Sequence, residues 1–544
     1  MGGVEFARAL AYLPHLKLAQ RREGVQITPS EWRWSVLFAL LVSILISAPY
    51  LVAIGSQTEA WRFGGVLVGA EDLNSYFAKM NQGAHGAWLF TSPYTAQAQS
   101  GIPLYLFYLL LGKLSGPDFA NRVLTFHLAR VVCGIAFLLL AYRFMAEFLS
   151  DSTSRKLALF LVTFGGGLGW LVVFFPTARG SASFESSLPL EFFSPEAFSL
   201  LMLFSLPHLL LARSLLICSL LAYLKQRPVW AGLVLGVGVF IQPAIAPIVW
   251  GVLGMATLLE MIQTRPTTLR QVWAAIRSLL VVGVISLPPF LYFFWLIAVQ
   301  KQHSQYLPTP PVWQYALAFG LYAPFALRGW KSLWHTRPEL ARWLSAWVLL
   351  LPILFMLPLG VNRRLVEGFY LPLVAVTVLG FNVQPGLWLR RLRLFIIALL
   401  VLSSSLFMMG AFRSAALPAE PAFLPQDKLS AFAWLNSNAP PGAVVFSSFA
   451  TGNQIPAYTH LLAYAGHAIE TPNSAEKHAV ILAFFNSQTH LTERLALLTQ
   501  NNIRFLFYGP EEQQLGQFNP STWPALKERF RQGAYSIYEV DPGD

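Results

Sequence analysis

The sequence predicts a mostly α-helical fold: a polytopic transmembrane helical bundle of about eleven spans, followed by a small C-terminal α/β domain outside the membrane. Three observations carry that prediction. Of the 544 residues, 55% are hydrophobic and only 12% charged, about half the charged share of a soluble globular domain. Several apolar runs reach the roughly 18 to 20 residues that a helix needs to cross a bilayer core. After Phe412 the composition changes to that of an ordinary soluble chain, rich in turns and charges. A formal net charge of +12 would suit nucleic acid, but the Lys and Arg residues cluster in short segments between spans, where they fix orientation in a membrane. No nucleic-acid partner is expected. Cys133 and Cys218 both fall in apolar spans, where a thiol behaves as a small hydrophobe, so neither a disulfide framework nor a Cys-based metal site is supported.

Residues 1–33 carry Arg8, Lys17, Arg21, Arg22 and Arg33 without a small-residue cleavage site, and read as an uncleaved cytoplasmic segment. The membrane domain is expected over residues 34–412, with its first span at 34–54. An outer loop follows at 55–100. In it Asp72, Tyr76, Lys79 and Met80 recur at helical spacing, predicting a short interfacial helix that opens near Asp72. Residues 102–114 are short for a span and read as a re-entrant or surface helix. Spans are then expected at 119–149, 157–175 and 193–224. The basic patches Arg155-Lys156 and Lys225-Gln226-Arg227 place their loops in the cytoplasm, leaving the acidic loop with Glu185, Glu191 and Glu196 outside. Residues 228–261 read as a hairpin broken near Gln242-Pro243. The last spans are expected at 272–299, 312–327, 340–357, 368–381 and 392–409. Lys331 and Arg337, and then Arg390, Arg391 and Arg393, mark cytoplasmic turns, which puts the C-terminus outside. In residues 413–544, strand-like runs at 443–446, 461–464, 504–508 and 535–540 alternate with helix-period segments at 428–436, 475–485 and 491–500, the pattern of a small α/β domain. No internal repeat is found.

The chemistry centres on Glu71-Asp72. A carboxylate at the end of an outward loop can act as a general base toward an acceptor hydroxyl; the plainer alternative, a solvated loop or helix cap, is about equally good on spacing alone. Tyr76 and Lys79, further along the same helix, are candidate substrate contacts. A second signal is Asn362-Arg363-Arg364 with Glu367, between two spans on the side that charge counting makes outer. Arginines there oppose the usual cytoplasmic bias, and Arg grips phosphate through paired hydrogen bonds; the alternative is an interfacial Arg snorkelling to lipid head groups. Glu191, Glu196 and His208 are further candidates for substrate contact. His127 and Arg130, one helical turn apart, and Gln242 are intramembrane polar groups expected to face a cavity or each other. A single pair of acids is a weak metal signal, and His460, His467, His478 and His490 lack zinc-like spacing. No metal is assigned and no cofactor is expected.

The order Asp72, Tyr76, Gly83, Gly86, Trp88, then Ile102-Pro103-Leu104-Tyr105 and Ala129-Arg130, resembles the C-superfamily of integral-membrane glycosyltransferases, which includes protein mannosyltransferases and lipid A aminoarabinose transferases. In that family an Asp-Glu pair in the first outer loop precedes a Tyr, a Gly-Asp-Trp-like turn and a Pro-Pro-Leu segment. By this resemblance Asp72 takes the place of the catalytic Asp. Two positions depart: Leu73 stands where a second acid is usual, leaving Glu71 as its neighbouring substitute, and Ile102 replaces the first Pro. The resemblance implies a polyprenyl-phosphate-linked sugar donor and inverting transfer to a hydroxyl of a glycan, lipid or protein acceptor on the outer face of the cytoplasmic membrane. Two other functions compete. A secondary transporter of a lipid-linked or acidic solute would show repeated halves, and a non-catalytic membrane scaffold would not need an outward acid loop facing an Arg pair.

Overall fold

Helix α1 (Pro29–Gly55) begins on a capping box: the Thr28 side chain accepts the Glu31 N–H while Glu31 takes the Thr28 N–H. Two orphan amides are thereby satisfied where the helix enters apolar surroundings. The computed structural model describes residues 26–174, 188–299, 309–356, 362–383, 387–486 and 489–541; Glu185 and the segment before residue 26 lie outside the described residues.

After α1 come α2 (Ala70–Ala84), α3 (Leu106–Ser115), α4 (Phe119–Phe148), α5 (Ser152–Phe164), α6 (Trp170–Phe174), α7 (Leu190–Phe193), α8 (Leu200–Ser205) and α9 (Pro207–Leu224). The bundle continues through α10 (Pro228–Ile241), α11 (Ile245–Thr264), α12 (Leu269–Val299), α13 (Val312–Phe319), α14 (Ala323–Thr336) and α15 (Pro338–Met356). It ends with a 3-10 turn (Asn362–Val366), α16 (Tyr370–Asn382) and α17 (Leu387–Ala416). Among the described residues, seven helical segments are long and apolar enough to cross a membrane: α1, α4, α9, α11, α12, the 3-10 turn with α16, and α17. Among the described residues α3 and α10 are shorter apolar helices. The protein is an integral membrane protein.

Three of the expected continuous spans are interrupted, each for a local reason. The span expected at 157–175 unwinds at Gly165–Gly169, where the amides of Gly167 and Gly169 donate to Glu191 Oε1 at 2.9 and 2.8 Å and those of Gly166 and Leu168 donate to the carbonyls of Leu400 and Leu317. Irregular backbone is tolerated at membrane depth only when protein groups satisfy it in this way. A Cβ at Gly167 would fall 2.4 Å from the Ala318 carbonyl oxygen, so the close approach requires glycine. The span at 193–224 is divided before Pro207, which has no amide to continue the preceding helix. The span at 312–327 breaks after Phe319, beside that same glycine segment. The hairpin expected over 228–261 is present. Gly232 faces Ile285 and Phe240 meets Phe293 edge to face, so α10 runs parallel to α12, while Trp250 of α11 donates to Ser286 on the return. The reversal falls at Gln242-Pro243.

At one end of the bundle Arg155 Nη1 binds Glu31 Oε1 at 2.9 Å, joined by the Tyr142 hydroxyl, and chain direction brings the other basic turns to this end. The opposite end carries α2, α3 and the C-terminal α/β domain. Strand β1 (Trp61–Phe63) from the first loop pairs antiparallel with β2 (Phe423–Pro425) at the start of that domain. Strands β3 (Val444–Phe446), β4 (Leu462–Ala463), β5 (Ile503–Tyr508), β6 (Leu526–Gln532) and β7 (Tyr535–Val540) form a sheet in the order β4-β3-β5-β7-β6. Its β4-β3-β5 part is parallel, and β5-β7-β6 is antiparallel. Helices α18 (Gln426–Asn438), α19 (Phe449–Tyr458), α20 (Ser474–Phe485), α21 (Leu491–Gln500) and α22 (Pro510–Leu515) surround it. Phe446, Phe484 and Leu506 pack on one face and Phe432, Phe505 and Phe507 on the other. The short expected strands and helices of this region are found. The charged edge strand β6 and the Gly- and Pro-containing α19 were not expected, because neither has an apolar period of its own.

Candidate active site

Helix α2 begins at Gly69, whose φ of +68° lies in the left-handed region that favours glycine, and places Glu71 and Asp72 in its first turn, where the helix dipole favours acids. Its fit against α3 is set by two glycines: a Cβ on Gly83 would sit 2.0 Å from the Leu109 oxygen, and one on Gly112 1.9 Å from the Met80 oxygen. The tight contact lets Tyr76 stack on Tyr108, with ring centroids 4.4 Å apart and planes within 9°. The Tyr108 hydroxyl in turn meets His208 Nδ1 at 2.6 Å. Lys113 of α3 donates to the Gly86 carbonyl and lies over the Trp88 ring, closing the turn after α2.

The other side of α2 is covered by the C-terminal α/β domain. Asn453 of α19 accepts from Asn74 at 2.9 Å and donates to the Glu71 carbonyl at 3.0 Å. The turn at 466–471 meets the start of α2. Ala468 N–H donates to Glu71 Oε1 at 2.7 Å, His467 Nε2 lies 3.2 Å from Asp72 Oδ1, and Glu470 Oε1 binds Lys79 Nζ at 2.5 Å. Lys79 is fully buried, also bonded to Ser75 Oγ and lying over the Tyr105 ring. The Asp72 side chain is 60% exposed although protein surrounds it on most sides. Its carboxylate is thus reachable from solvent.

Charges from distant parts of the chain converge there. Burial pushes the Asp72 carboxyl up, but the His467 bond and the Lys79 and Arg364 charges outweigh it and hold the group below its ordinary value. Burial and the Asp72 charge push the Tyr76 phenol well above its ordinary value, with Arg364 again facing it; Arg364 also faces His208. Arg364 is half-buried, and its guanidinium makes no hydrogen bond or ion pair with the described residues. Arg363 points elsewhere, over the Phe193 ring and toward Tyr315.

The expected site residues thus divide into two groups. Asp72, Tyr76, His208 and Arg364 lie near enough for their charges to act on one another, with Glu71 tied beside Asp72 to the C-terminal domain. The others are engaged within the fold: Lys79 with Glu470, Glu191 with the unwound glycine segment, and Glu367 in a buried ion pair with Arg213. The Glu196 carboxylate accepts from Ser194. His127 and Arg130 bond to each other and to the Gly65 and Leu203 carbonyls. Among the described residues no three His, Cys, Asp or Glu side chains are grouped to hold a metal ion. Sequence reasoning missed His467 and Glu470 as neighbours of Asp72. Their only signal is tertiary, since the turn that carries them is remote in sequence.

No family model and no curated protein matches the chain. Solved structures do. The oligosaccharyltransferase of Archaeoglobus fulgidus, determined with a tethered acceptor peptide, superposes with a TM-score of 0.50 at 13% identity, over 87% of this chain and 69% of that one. The arabinofuranosyltransferase AftD from Mycobacteria superposes with a TM-score of 0.52 at 14% identity, over 92% of this chain and 40% of that one. ArnT from Cupriavidus metallidurans matches with a TM-score of 0.47 at 11% identity, over 92% and 97% of the two chains. The chain thus shares its fold with the oligosaccharyltransferase and with AftD.

Proposed function

We propose that the protein is a membrane glycosyltransferase that moves a sugar from a polyprenyl-phosphate-linked donor to an acceptor hydroxyl at the extracytoplasmic end of the bundle. Asp72 acts as general base and Arg364 holds the donor phosphate. The observation that carries this reading is the exposed Asp72 carboxylate within electrostatic reach of Arg364, whose guanidinium makes no hydrogen bond or ion pair with the described residues. The acceptor hydroxyl gives its proton to Asp72 as its oxygen bonds to the anomeric carbon. The bond from that carbon to the donor phosphate breaks with both electrons leaving on the phosphate, whose charge Arg364 meets by paired hydrogen bonds. Tyr76, stacked on buried Tyr108 and edge-on to His208, is the ring of this group placed to contact a sugar. Glu71, whose carboxylate receives the Ala468 amide, holds the first turn of α2 beside the base. Arg363, adjacent in the 3-10 turn, lies over Phe193 and takes no part in this contact.

The test is transfer from a radiolabelled polyprenyl-phosphate sugar by purified protein, with folding checked by thermal melting. Asp72→Asn keeps the shape and removes the proton acceptor, so donor binding is retained while transfer drops roughly hundredfold or more. Arg364→Ala chiefly weakens donor binding, and by more than Arg363→Ala does. Full transfer by Asp72→Asn would exclude the base.

A further inference from the structure

We propose that His467, carried by the C-terminal domain, is a positioning residue for Asp72: its Nε2–H donates to Asp72 Oδ1 and holds the carboxylate in place, so that the site is complete only when the 466–471 turn is docked on α2. The inference rests on the reading of Asp72 as the base.

A lone buried histidine is more often a satisfied core residue than a participant, and here the bonding decides. His467 is 3% exposed. Its Nδ1 accepts the amides of Ile469 and Glu470 at 3.2 and 3.1 Å. Burial disfavours a charged imidazole while Glu470 and Asp72 favour one, but two N–H groups aimed at Nδ1 leave that nitrogen no place for a hydrogen. The ring is thus the neutral tautomer with its hydrogen on Nε2, and that donor is directed at Asp72. The turn has the rigidity the role needs. Thr471 Oγ1 accepts the Gly466 and His467 amides, and the Tyr94 ring lies 5.7 Å from the imidazole. The flanking contacts, Ala468 with Glu71 and Glu470 with Lys79, fix the turn on α2 on either side of the His467 bond. Such a donor favours the ionised carboxylate and restricts its rotation, while leaving the other carboxylate oxygen free to face an acceptor.

The charged groups facing Asp72 are Lys79 and Arg364, with Glu470 beyond Lys79, so a direct titration is needed to isolate the histidine. The Asp72 carboxyl stretch can be followed by infrared difference spectroscopy on the full chain in detergent, the band being identified by its loss in Asp72→Asn. His467→Ala should move the midpoint up by on the order of one pH unit. His467→Gln, whose amide places an N–H near the imidazole Nε2, should leave it close to native. His467→Phe fills the ring volume without a donor and should match the alanine variant, serving in its place should the latter not fold. An unmoved midpoint in a folded Ala or Phe variant overturns the proposal, as does an equal upward shift in the Gln variant. Should Asp72→Asn transfer at the native rate while His467→Ala still moves the midpoint, the base assignment fails and the positioning contact stands; native transfer and an unmoved midpoint in His467→Ala, with Asp72→Asn inactive, sink the positioning role alone.

Discussion

Lys79 and Glu470 meet between α2 and the C-terminal domain with almost no exposure to solvent. Burial works against both charges. It lowers the Lys79 ammonium despite its carboxylate partner, whereas the Lys79 charge and hydrogen bond outweigh burial and hold Glu470 below its ordinary value. The two shifts oppose each other in their effect on stability, as expected where desolvation nearly cancels attraction in a buried pair. The share due to Glu470 is fully present above its unfolded value near pH 4.5 and is lost as pH falls through its lower folded value. Removing one partner leaves the other charged, buried and alone. Lys79→Met is therefore expected to destabilise by about 3 to 5 kcal/mol, whereas Lys79→Met combined with Glu470→Leu recovers most of the loss. Denaturant melts of the purified protein measure both. A loss in the double variant equal to the sum of those in Lys79→Met and Glu470→Leu alone would show the pair to be uncoupled.

At the scale of elements, the α2–α3 contact governs the site. Gly83 and Gly112 each abut a backbone carbonyl of the opposing helix, so the helices touch with no side chain between them. A methyl at either position must push them apart, and overpacking of this kind costs about 1 to 3 kcal/mol. Gly83→Ala is expected to lower the melting temperature and also to reduce transfer, because Tyr76 rides on α2 and Tyr108 on α3 and their 4.4 Å stack cannot survive the displacement. Gly86→Ala is a useful contrast. No atom lies within 4 Å of the added carbon there, although its φ of +98° strains any side chain, so its effect should fall on stability with little change in transfer by the folded fraction.

Over the whole molecule, the bundle and the C-terminal domain are joined at several points. Strands β1 and β2 pair, buried Arg122 of α4 donates to the Ala457 carbonyl at 2.9 Å, and Asn81 of α2 donates to the Thr459 carbonyl at 2.7 Å. The C-terminal domain thus shares one end of the bundle with Asp72, and the basic turns gather at the other. Since Lys and Arg are retained on the cytoplasmic side, the C-terminus is expected to be extracytoplasmic. A phosphatase reporter fused after Asp544 should be active only if exported, and a fusion in the 225–227 turn should be inactive. The reverse pattern would overturn the assignment of faces.

Residue type and order alone were enough for the membrane class, the hairpin at Gln242-Pro243, the helix bearing Asp72 and the α/β character of the tail. Each depends on local periodicity, on a helix breaker or on a change of composition, and all three are written along the chain. The resemblance built on Asp72, Tyr76, Gly83, Gly86 and Trp88 led to the same fold that the solved structures share. Tertiary structure alone decided which polar groups are free. Lys79, Glu191 and Glu367 carry the same charges on the page as Asp72 and Arg364, yet partners brought by remote segments bind them into the fold. The unwinding at Gly165–Gly169 needed Glu191 and the Leu317 and Leu400 carbonyls before it became possible. His467 reaches Asp72 only because α19 and its following turn pack on α2. A charge becomes available for chemistry when long-range packing leaves it exposed and uncommitted, and that is a property of the assembled fold which no local pattern encodes.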